Sequence, residues 1–340
     1  MYKPIPITDL YSLQIEITTF CNSHCIGCAR NVEGAEKQPW LPLIHMDDKI
    51  WHNIVNIYTK YKYPRMMFNG NFGDAIMHPK LIEFLEKLVD NNVKTEIRIS
   101  TNGGVRNEQF WKALAEVLGQ TSTSSNVEFS VDGIEDTNHI YRRGVDWDRL
   151  QDNMSTFINA GGNAIWRMIV FEHNKHQIEE ASAKAKKLGF RGFELHYNKR
   201  LSVHGKKYKD FIDVVVSGIN KNEFTDYCKK YEWKNLNMVD VPTYNSVCPW
   251  QQERQYQIGV DGSVHLCCNY GTELSLYDTS KVRNLKDDPI MNYYKTRGYN
   301  LYNLNYYSFE EILKSIPFRK LHLKMLENNP SIICKEMCGK

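Results

Sequence analysis

Three cysteines near the N-terminus, Cys21, Cys25 and Cys28, are the residues of this chain best suited to chemistry. Their spacing is C-x3-C-x2-C, and it follows an alternating apolar segment at residues 13–17. Three thiolates on one short loop can each hold one iron of a [4Fe–4S] cube, which leaves the fourth iron without a protein ligand. Because structural metal sites close their coordination sphere, the missing fourth ligand indicates an iron that can bind a small molecule.

Two other uses of these cysteines are open at this point. Cys25 and Cys28 form a C-x2-C pair of the kind found in zinc sites, but such a site needs a second pair or nearby histidines, and only His24 lies close in sequence. Disulfides would leave one of the nine cysteines unpaired, and the N-terminus lacks the basic and then apolar layout of a secretory signal. We therefore expect reduced thiols or metal ligands in a cytoplasmic protein.

The composition is that of an ordinary globular protein. The 340 residues are 42% hydrophobic and 24% charged, with a formal net charge of +3. A chain of this length can bury a large core, and a charge so close to neutral gives no reason to expect a nucleic-acid or membrane partner. No apolar run approaches the ~20 residues that a transmembrane helix needs.

Short apolar strands alternate with amphipathic helices over the first two hundred residues. The predicted strands are 13–18, 66–69, 94–100, 127–131, 165–171 and 193–197, and the predicted helices are 47–61, 79–91, 108–118, 148–160 and 176–188. Asp47 is the expected cap of the first helix, and Gly119 is the expected stop of the third. This alternation predicts right-handed βαβ units with a parallel sheet. Because six units fall short of the eight that close a barrel, we expect an α/β fold with a partial (β/α)6 TIM-like barrel.

Glycines and polar residues follow several predicted strands, at the edge of a parallel sheet where ligands gather. The segments are Asn69-Gly70-Asn71-Phe72-Gly73-Asp74 after the second strand, Thr101-Asn102-Gly103 at the end of the third, and Ser130-Val131-Asp132-Gly133 at the end of the fourth. In the first segment, two glycines let backbone groups approach a ligand closely, and Asp74 can pair with an ammonium group.

Together with the cysteine loop, these segments resemble the radical S-adenosylmethionine (SAM) superfamily. The segment at Gly70 is similar to the Gly-Gly-Glu-Pro motif of that family, with Asp74 in place of Glu and Ala75 in place of Pro. The Ser-Val-Asp-Gly run is followed by His139 and Arg143, as in the family, and we expect both residues to support the scaffold.

The resemblance implies a set of cofactor contacts. Cys21, Cys25 and Cys28 would ligate the [4Fe–4S] cluster, and SAM would chelate the fourth iron. The implied contacts of SAM are Gly70, Gly73, Asp74, Thr101, Asn102, Ser130 and Arg167. Arg167 lies in the fifth predicted strand, where a buried charge needs a partner such as the SAM carboxylate. The alternative is a strand-edge arginine that faces water.

The remaining cysteines lie later in the chain, at Cys228, Cys248, Cys267, Cys268, Cys334 and Cys338. A β-hairpin with Asp-Gly at its turn is predicted between Cys248 and Cys267. These two cysteines and Gly262 fit C-x13-G-x4-C, which resembles the opening of the SPASM domain or of its shorter twitch relative.

That resemblance implies an auxiliary [4Fe–4S] cluster. The expected ligands are Cys248, Cys267, Cys334 and Cys338, with Cys268 as a substitute. Four ligands suit one cluster, so the twitch form is the better match, and a zinc ribbon is the alternative. The predicted division is a radical SAM partial barrel at 10–200, a linker with a helix at 201–245, and a small cysteine-rich α+β domain of SPASM or twitch type at 246–340.

The resemblance also implies a reaction. One electron from an external flavodoxin- or ferredoxin-like donor cleaves SAM to a 5′-deoxyadenosyl radical, which takes a hydrogen atom from the substrate. An auxiliary cluster that accepts the electron left on the substrate makes the net reaction an oxidation, which we expect here. The candidates to face the substrate are Glu16, His196 and Arg200.

The substrate class and two other classes of function stay open. Many peptide maturases carry an N-terminal peptide-binding domain, and only about ten residues precede the first strand here. This favours a small molecule, with a peptide-modifying enzyme as the alternative. Outside this family, the alternatives are an iron–sulfur protein that only transfers electrons and a zinc-binding interaction module.

Overall fold

A nine-stranded sheet forms the centre of the computed structural model, which describes residues 5–32, 34–197, 219–234, 248–269 and 299–325. The strands of the described residues are β1 (Ser12–Ile15), β2 (Asn31–Val32), β3 (Glu36–Lys37), β4 (Arg65–Phe68), β5 (Glu96–Thr101), β6 (Asn126–Ser130), β7 (Ala164–Val170), β8 (Gly192–Tyr197), β9 (Trp233–Lys234), β10 (Gln255–Ile258) and β11 (Val264–His265). The order in the sheet is β11-β10-β1-β4-β5-β6-β7-β8-β9, and β2 and β3 form a separate hairpin.

Helices connect the parallel strands. The described helices are α1 (Asp48–Tyr61), α2 (Leu81–Asp90), α3 (Glu108–Thr121), α4 (Asn138–Tyr141), α5 (Trp147–Asn159), α6 (Ile178–Leu188), α7 (Lys221–Tyr231), α8 (Pro249–Gln252), α9 (Phe309–Lys314) and α10 (Ile316–Met325). Several ends are encoded locally. The Asp47 side chain accepts a hydrogen bond from Ile50 N at 2.8 Å, and Gly189 ends α6 with a φ of 89°.

The predicted partial barrel is confirmed. Strands β1, β4, β5, β6, β7 and β8 are neighbours in chain order and pair in parallel, with α1, α2, α3, α5 and α6 as their connections. This is the repeated βαβ arrangement that the alternating pattern predicts.

Gly119 does not end the third helix, contrary to the prediction. Helix α3 continues to Thr121 and is followed by the extended residue Ser122. Thr121 is buried, and its Oγ1 donates a hydrogen bond to Leu118 O at 2.8 Å. Packing of this last turn therefore outweighs the weak helix propensity of one glycine. The first strand also ends earlier than predicted, at Ile15 rather than at residue 18.

The predicted hairpin between Cys248 and Cys267 is confirmed, and it joins the main sheet. Strand β10 pairs antiparallel with β11, and it also pairs in parallel with β1, with Ser12 opposite Gln255 and Ile15 opposite Ile258. The hairpin of the predicted C-terminal domain thus extends the barrel sheet on the side of β1. The pairing of β10 with β1 could not be predicted from local sequence patterns.

The two faces of the sheet differ in polarity. Apolar strand residues pack with the helices in one core, as Leu13, Ile97 and Phe129 do. Most of the alternate positions carry polar side chains, among them Gln14, Glu16, Arg65, Glu96, Arg98, Glu128, Arg167 and Glu194. Because side chains alternate between the faces of a strand, these residues share the face away from the helices. We call this the polar face of the sheet.

The later elements are short. Helix α7 confirms the helix predicted within residues 201–245. Helix α9 begins with a capping box, in which Ser308 Oγ accepts a hydrogen bond from Glu311 N at 3.3 Å. In the ranges given above, no helix is both long and apolar enough to cross a membrane. Arg200, Cys334 and Cys338 lie outside the described residues.

Candidate functional site

The cysteine loop follows β1 and turns tightly at its third cysteine. Cys28 N donates a hydrogen bond to Cys25 O at 3.3 Å, and Gly27 between them has a φ of 77°. A positive φ is natural for glycine, so Gly27 allows the turn that brings Cys25 and Cys28 to the same side. Cys25 is buried, while Cys21 and Cys28 are partly exposed.

Hydrogen-bond donors surround two of the three sulfurs. Ser23 N lies 3.4 Å from Cys21 Sγ, and Ser23 Oγ lies 3.0 Å from Cys25 Sγ. Asn102 Nδ2 is 3.8 Å from Cys21 Sγ. Donors placed around sulfur stabilise a thiolate ligand and tune the metal centre that it holds.

The thiols of Cys21 and Cys25 are poorly solvated and close enough to influence one another. Burial raises the pKa of Cys21, and the charges of Asp74, Cys25 and Cys28 raise it further. Burial also raises the pKa of Cys25, against the opposing effect of Arg142. The surroundings therefore disfavour the thiolates of Cys21 and Cys25 in the metal-free chain, and metal binding would have to displace their protons.

The donor set fits an iron–sulfur cube better than a single metal ion. Three sulfurs on one turn, with N–H and O–H donors beside them, are the ligands such a cube requires, each thiolate on a different iron. In the part of the chain that the structure describes, no three His, Cys, Asp or Glu side chains converge closely enough to hold one metal ion.

The glycine-rich loop after β4 packs directly on the segment that follows β1. A Cβ on Gly73 would lie 1.9 Å from Thr18 O, and one on Gly70 would lie 2.0 Å from Gly73 O. Gln14 Nε2 donates a hydrogen bond to Asn69 O at 2.6 Å, which fixes the start of the loop. Only glycine fits at these two positions, so the loop brings its backbone beside the cysteine loop.

Asp74 joins this loop to the end of β5. Its Oδ2 accepts hydrogen bonds from Thr101 Oγ1 at 3.0 Å, Asn102 N at 2.8 Å and Asn102 Nδ2 at 2.7 Å. Burial raises the pKa of Asp74, and these hydrogen bonds oppose that effect. The structure thus brings together Gly73, Asp74, Thr101 and Asn102, four of the predicted SAM contacts. An ionic contact of Asp74 with an ammonium group stays a prediction.

Asn22 connects the cysteine loop to the same corner. Asn102 Nδ2 donates to Asn22 Oδ1 at 2.8 Å, and Asn22 Nδ2 lies 3.2 Å from Asn102 Oδ1. Sequence analysis did not single out Asn22, although it lies directly after Cys21. The paired side-chain amides hold Cys21 beside the Asn-Gly segment.

Arg167 is paired with carboxylates of the chain itself. Its Nη1 lies 2.5 Å from Glu128 Oε2, and its Nε lies 3.0 Å from Glu194 Oε2. The side chain is 23% exposed, so it is not the water-facing arginine of the alternative interpretation. Burial favours the neutral guanidine, but the charges of Glu128 and Glu194 outweigh it and raise the pKa of Arg167. Ser130 lies opposite Arg167 in the sheet, and contacts of either with SAM stay predictions.

The three predicted substrate-facing residues have different surroundings. Glu16 does not face open space, because its carboxyl is buried and its Oε1 accepts a hydrogen bond from Phe72 N at 2.7 Å. Burial raises the pKa of Glu16 to about 7. The side chain of His196 is 44% exposed, and its Nε2 lies 3.6 Å from Glu194 Oε2. Arg200 lies outside the described residues.

A residue that follows the hairpin, Cys268, contacts the glycine-rich loop. Cys267 is buried and follows β11, while Cys248 comes directly before α8. Asn71 Nδ2 donates a hydrogen bond to Cys268 O at 3.1 Å. The glycine-rich loop and the segment that follows β11 are therefore joined by a direct contact.

Comparison with family models agrees with this arrangement. Residues 15–185 match the model of the radical SAM superfamily, and residues 248–339 match the model of SPASM, an iron–sulfur cluster-binding domain. The chain belongs to the radical SAM superfamily.

Membership of the radical SAM superfamily indicates which cofactors the chain uses. This radical SAM enzyme uses SAM and a [4Fe–4S] cluster, and its SPASM domain implies auxiliary iron–sulfur clusters. The match at residues 248–339 confirms the predicted C-terminal domain of SPASM or twitch type, and the preference for the shorter twitch form stays a prediction. The twitch interpretation rested on finding only four well-placed cysteines in the sequence.

Solved structures share the fold of this radical SAM enzyme. The structure of anSMEcpe with bound AdoMet is 18% identical and has a TM-score of 0.53, over 91% of this chain and 82% of that chain. The structure of Streptococcus suis SuiB bound to the precursor peptide SuiA is 14% identical and has a TM-score of 0.54, over 96% of this chain and 76% of that chain. At such low identity, the similarity shows the fold alone. No curated protein sequence is significantly similar to the chain.

Arg142 is the main residue at this site that sequence analysis missed. The motif after Ser130 drew attention to the neighbouring Arg143, whose carbonyl accepts hydrogen bonds from His24 N at 2.8 Å and Ser23 Oγ at 3.1 Å. Arg143 therefore supports the cysteine loop, as predicted for a scaffold residue. Arg142 instead reaches Cys25 Sγ, at 3.8 Å.

Proposed function

We propose that Cys21, Cys25 and Cys28 hold the SAM-binding [4Fe–4S] cluster of this enzyme. The observation that carries the proposal is the link between the cysteine loop and the strand ends, which runs from Asn22 through Asn102 to Asp74. A loop of thiols that served only electron transfer would need no such link to a glycine-rich segment. The link supports a site in which cluster ligands and SAM contacts are built as one unit.

The groups that would bind SAM have distinct roles in this proposal. When bound, the cluster and SAM supply a 5′-deoxyadenosyl radical after one-electron reduction by an external flavodoxin- or ferredoxin-like donor. Gly70 and Gly73 leave room for a ligand at the backbone, and Thr101 and Asn102 are oriented by the Asp74 carboxylate. Ser130 and Arg167 contact the rest of SAM from β6 and β7. Orientation and the exclusion of water are the contributions of the protein.

The reaction that we propose is a net oxidation of a polar substrate. The polar face of the sheet offers paired charges to such a substrate, with Glu128, Arg167 and Glu194 connected in one chain of ion pairs. The proposed auxiliary ligands are Cys248, Cys267, Cys334 and Cys338, with Cys268 as a substitute. The contact of Asn71 with Cys268 O supports an auxiliary cluster close enough to accept the electron left on the substrate.

Peptide modification is the second candidate. SuiB is described as bound to a precursor peptide, and anSMEcpe is described with the Cp18Cys peptide. Both have folds similar to this chain, which makes a peptide substrate a specific alternative to a small molecule. Adding a small-molecule fraction and a peptide fraction of cell extract separately, and measuring which one increases 5′-deoxyadenosine formation, would separate the two.

Cluster loading tests the proposed cysteines before any substrate is known. After anaerobic reconstitution, we expect Cys25→Ala to contain about four fewer irons per chain than the wild type. It should also lack the electron paramagnetic resonance (EPR) signal that SAM alters. The matched control is Cys228→Ala on α7, which we expect to load fully because it lies outside the proposed ligands. Equal iron content and an unchanged SAM response in Cys25→Ala would overturn the assignment.

A further inference from the structure

Arg142 places a cation against one of the three cysteine sulfurs. Its Nη1 lies 3.8 Å from Cys25 Sγ, while its Nε lies 2.6 Å from Asp132 Oδ2. Its guanidinium also lies over the ring of Tyr141, at 5.2 Å from the centroid. The side chain of Arg142 is only 16% exposed, and that of Asp132 is fully buried. The contact therefore belongs to a fixed interior arrangement and not to a mobile surface chain.

Asp132 is itself held from several sides. Its Oδ1 accepts a hydrogen bond from Ile169 N at 2.6 Å, and its backbone N–H donates to Asn138 Oδ1 at 2.9 Å. Asn174 Nδ2 donates to the Asp132 carbonyl at 2.9 Å. Because the carboxylate cannot move, the guanidinium that binds it is oriented with its second nitrogen toward Cys25.

We infer that Arg142 is a positioning residue that raises the reduction potential of the N-terminal cluster through Cys25. This inference rests on the proposed assignment of Cys25 as a cluster ligand. A cationic donor against a ligand sulfur stabilises the more negative, reduced cluster relative to the oxidised one. Ser23 Oγ adds a neutral donor to the same sulfur, at 3.0 Å. Cys25 is thereby the thiolate through which the chain makes the cluster easier to reduce.

The chain offers a matched pair of arginines for the test. Arg143 is adjacent in sequence, but its guanidinium donates to Gly34 O at 3.2 Å. We would reconstitute the wild type, Arg142→Gln, Arg142→Lys and Arg143→Gln anaerobically. The midpoint potential of the N-terminal cluster would be measured by an EPR-monitored redox titration, with that cluster identified as the one whose signal SAM changes.

The expected order of midpoints distinguishes tuning from a structural role. In Arg142→Gln, the ratio of reduced to oxidised cluster at a fixed potential should fall about tenfold, which is a shift of about 59 mV for a one-electron couple. Arg142→Lys keeps the charge and should recover part of the shift, and Arg143→Gln should shift less than Arg142→Gln. A wild-type midpoint in a fully loaded Arg142→Gln variant would overturn the inference.

Two further outcomes separate this inference from the proposed function. If Arg142→Gln does not load iron, the neutral and similarly long Arg142→Met decides the question, because a wild-type midpoint in that variant contradicts the inference. If the wild type itself forms no SAM-responsive cluster, the proposed function fails. A normal cluster with an unmoved potential contradicts only the role of Arg142.

Discussion

Glu16 Oε1 accepts a hydrogen bond from Phe72 N at 2.7 Å, so a buried carboxyl directly after β1 fixes the glycine-rich loop. Glu16→Ala leaves that N–H unpaired, which costs about 1–3 kcal/mol. We expect a rise of about tenfold in the dissociation constant for SAM, measured by equilibrium dialysis. Glu16→Gln keeps an acceptor and should bind SAM nearly as the wild type does. Equal affinities in all three proteins would show that the loop holds its shape without Glu16.

The same carboxyl gives a pH dependence with a definite sign. Burial raises the pKa of Glu16 from 4.5 to about 7. The folded chain thus keeps a proton that the unfolded chain releases, and the associated stability is present below pH 4.5 and lost as the pH rises to 7. The loss is about 3 kcal/mol, and Glu16→Gln should not show it. Urea unfolding of both proteins at pH 5 and pH 8 measures the difference, and parallel changes in the two would contradict it.

A pair of glycines tests how closely the two loops approach. A Cβ on Gly73 would lie 1.9 Å from Thr18 O, whereas a Cβ on Gly119 within α3 meets nothing within 4 Å. We expect Gly73→Ala to lower the free energy of unfolding by more than about 2 kcal/mol and to weaken SAM binding. Gly119→Ala should raise it by about 0.5–1 kcal/mol. Thermal unfolding measures the stability of both variants. A Gly73→Ala variant as stable as the wild type would contradict the close approach of the two loops.

Asp74 connects two strand ends through its hydrogen bonds. Asp74→Asn replaces one acceptor oxygen by an NH₂ group that faces the donors of Thr101, Asn102 or Ile76. We expect a loss of about 2 kcal/mol in the free energy of unfolding. The control is Asp48→Asn, at a half-exposed surface carboxylate, with a change below about 0.5 kcal/mol. Similar losses in both variants, measured by denaturant unfolding, would argue against the network.

His78 provides a second titration, of opposite sign. Its Nε2 lies 3.1 Å from Met46 O and its Nδ1 lies 3.1 Å from Lys80 N, so the neutral ring satisfies both partners. Burial lowers the pKa of His78 from 6.5 to about 4. The unfolded chain therefore binds a proton first, and stability is lost as the pH falls from 6.5 to 4, by about 3 kcal/mol. His78→Phe should lose less free energy of unfolding than the wild type as the pH falls from 6.5 to 4, measured by urea unfolding. An equal loss in the two proteins would contradict the assignment of this pH dependence to His78.

The sequence allowed good prediction of features that depend on neighbouring residues. The helix cap at Asp47 lies within a few residues of the backbone groups that it affects. The alternation of strands and helices predicted the order of β1 and β4 to β8 for the same reason. Gly119 was misjudged because burial of Thr121, a tertiary contact, decided the end of α3.

Long-range partners could not be predicted. The pairing of Ser12 with Gln255 joins two segments that are far apart in the sequence, and no local pattern encodes it. Sequence analysis recognised that Arg167 needs a partner, but Glu128 and Glu194 become neighbours only through the register of three strands. Which of two adjacent arginines reaches Cys25 likewise depends on the path of the backbone.

Release of 5′-deoxyadenosine from SAM tests the central claim most directly. Anaerobically reconstituted protein would be given SAM and a strong reductant, and the product would be quantified by mass spectrometry in the wild type, in Cys25→Ala and in Cys228→Ala. The account predicts release in the wild type and in Cys228→Ala, and none above background in Cys25→Ala. Release that persists in Cys25→Ala, or a fully loaded and reducible wild type that neither binds nor cleaves SAM, would contradict it.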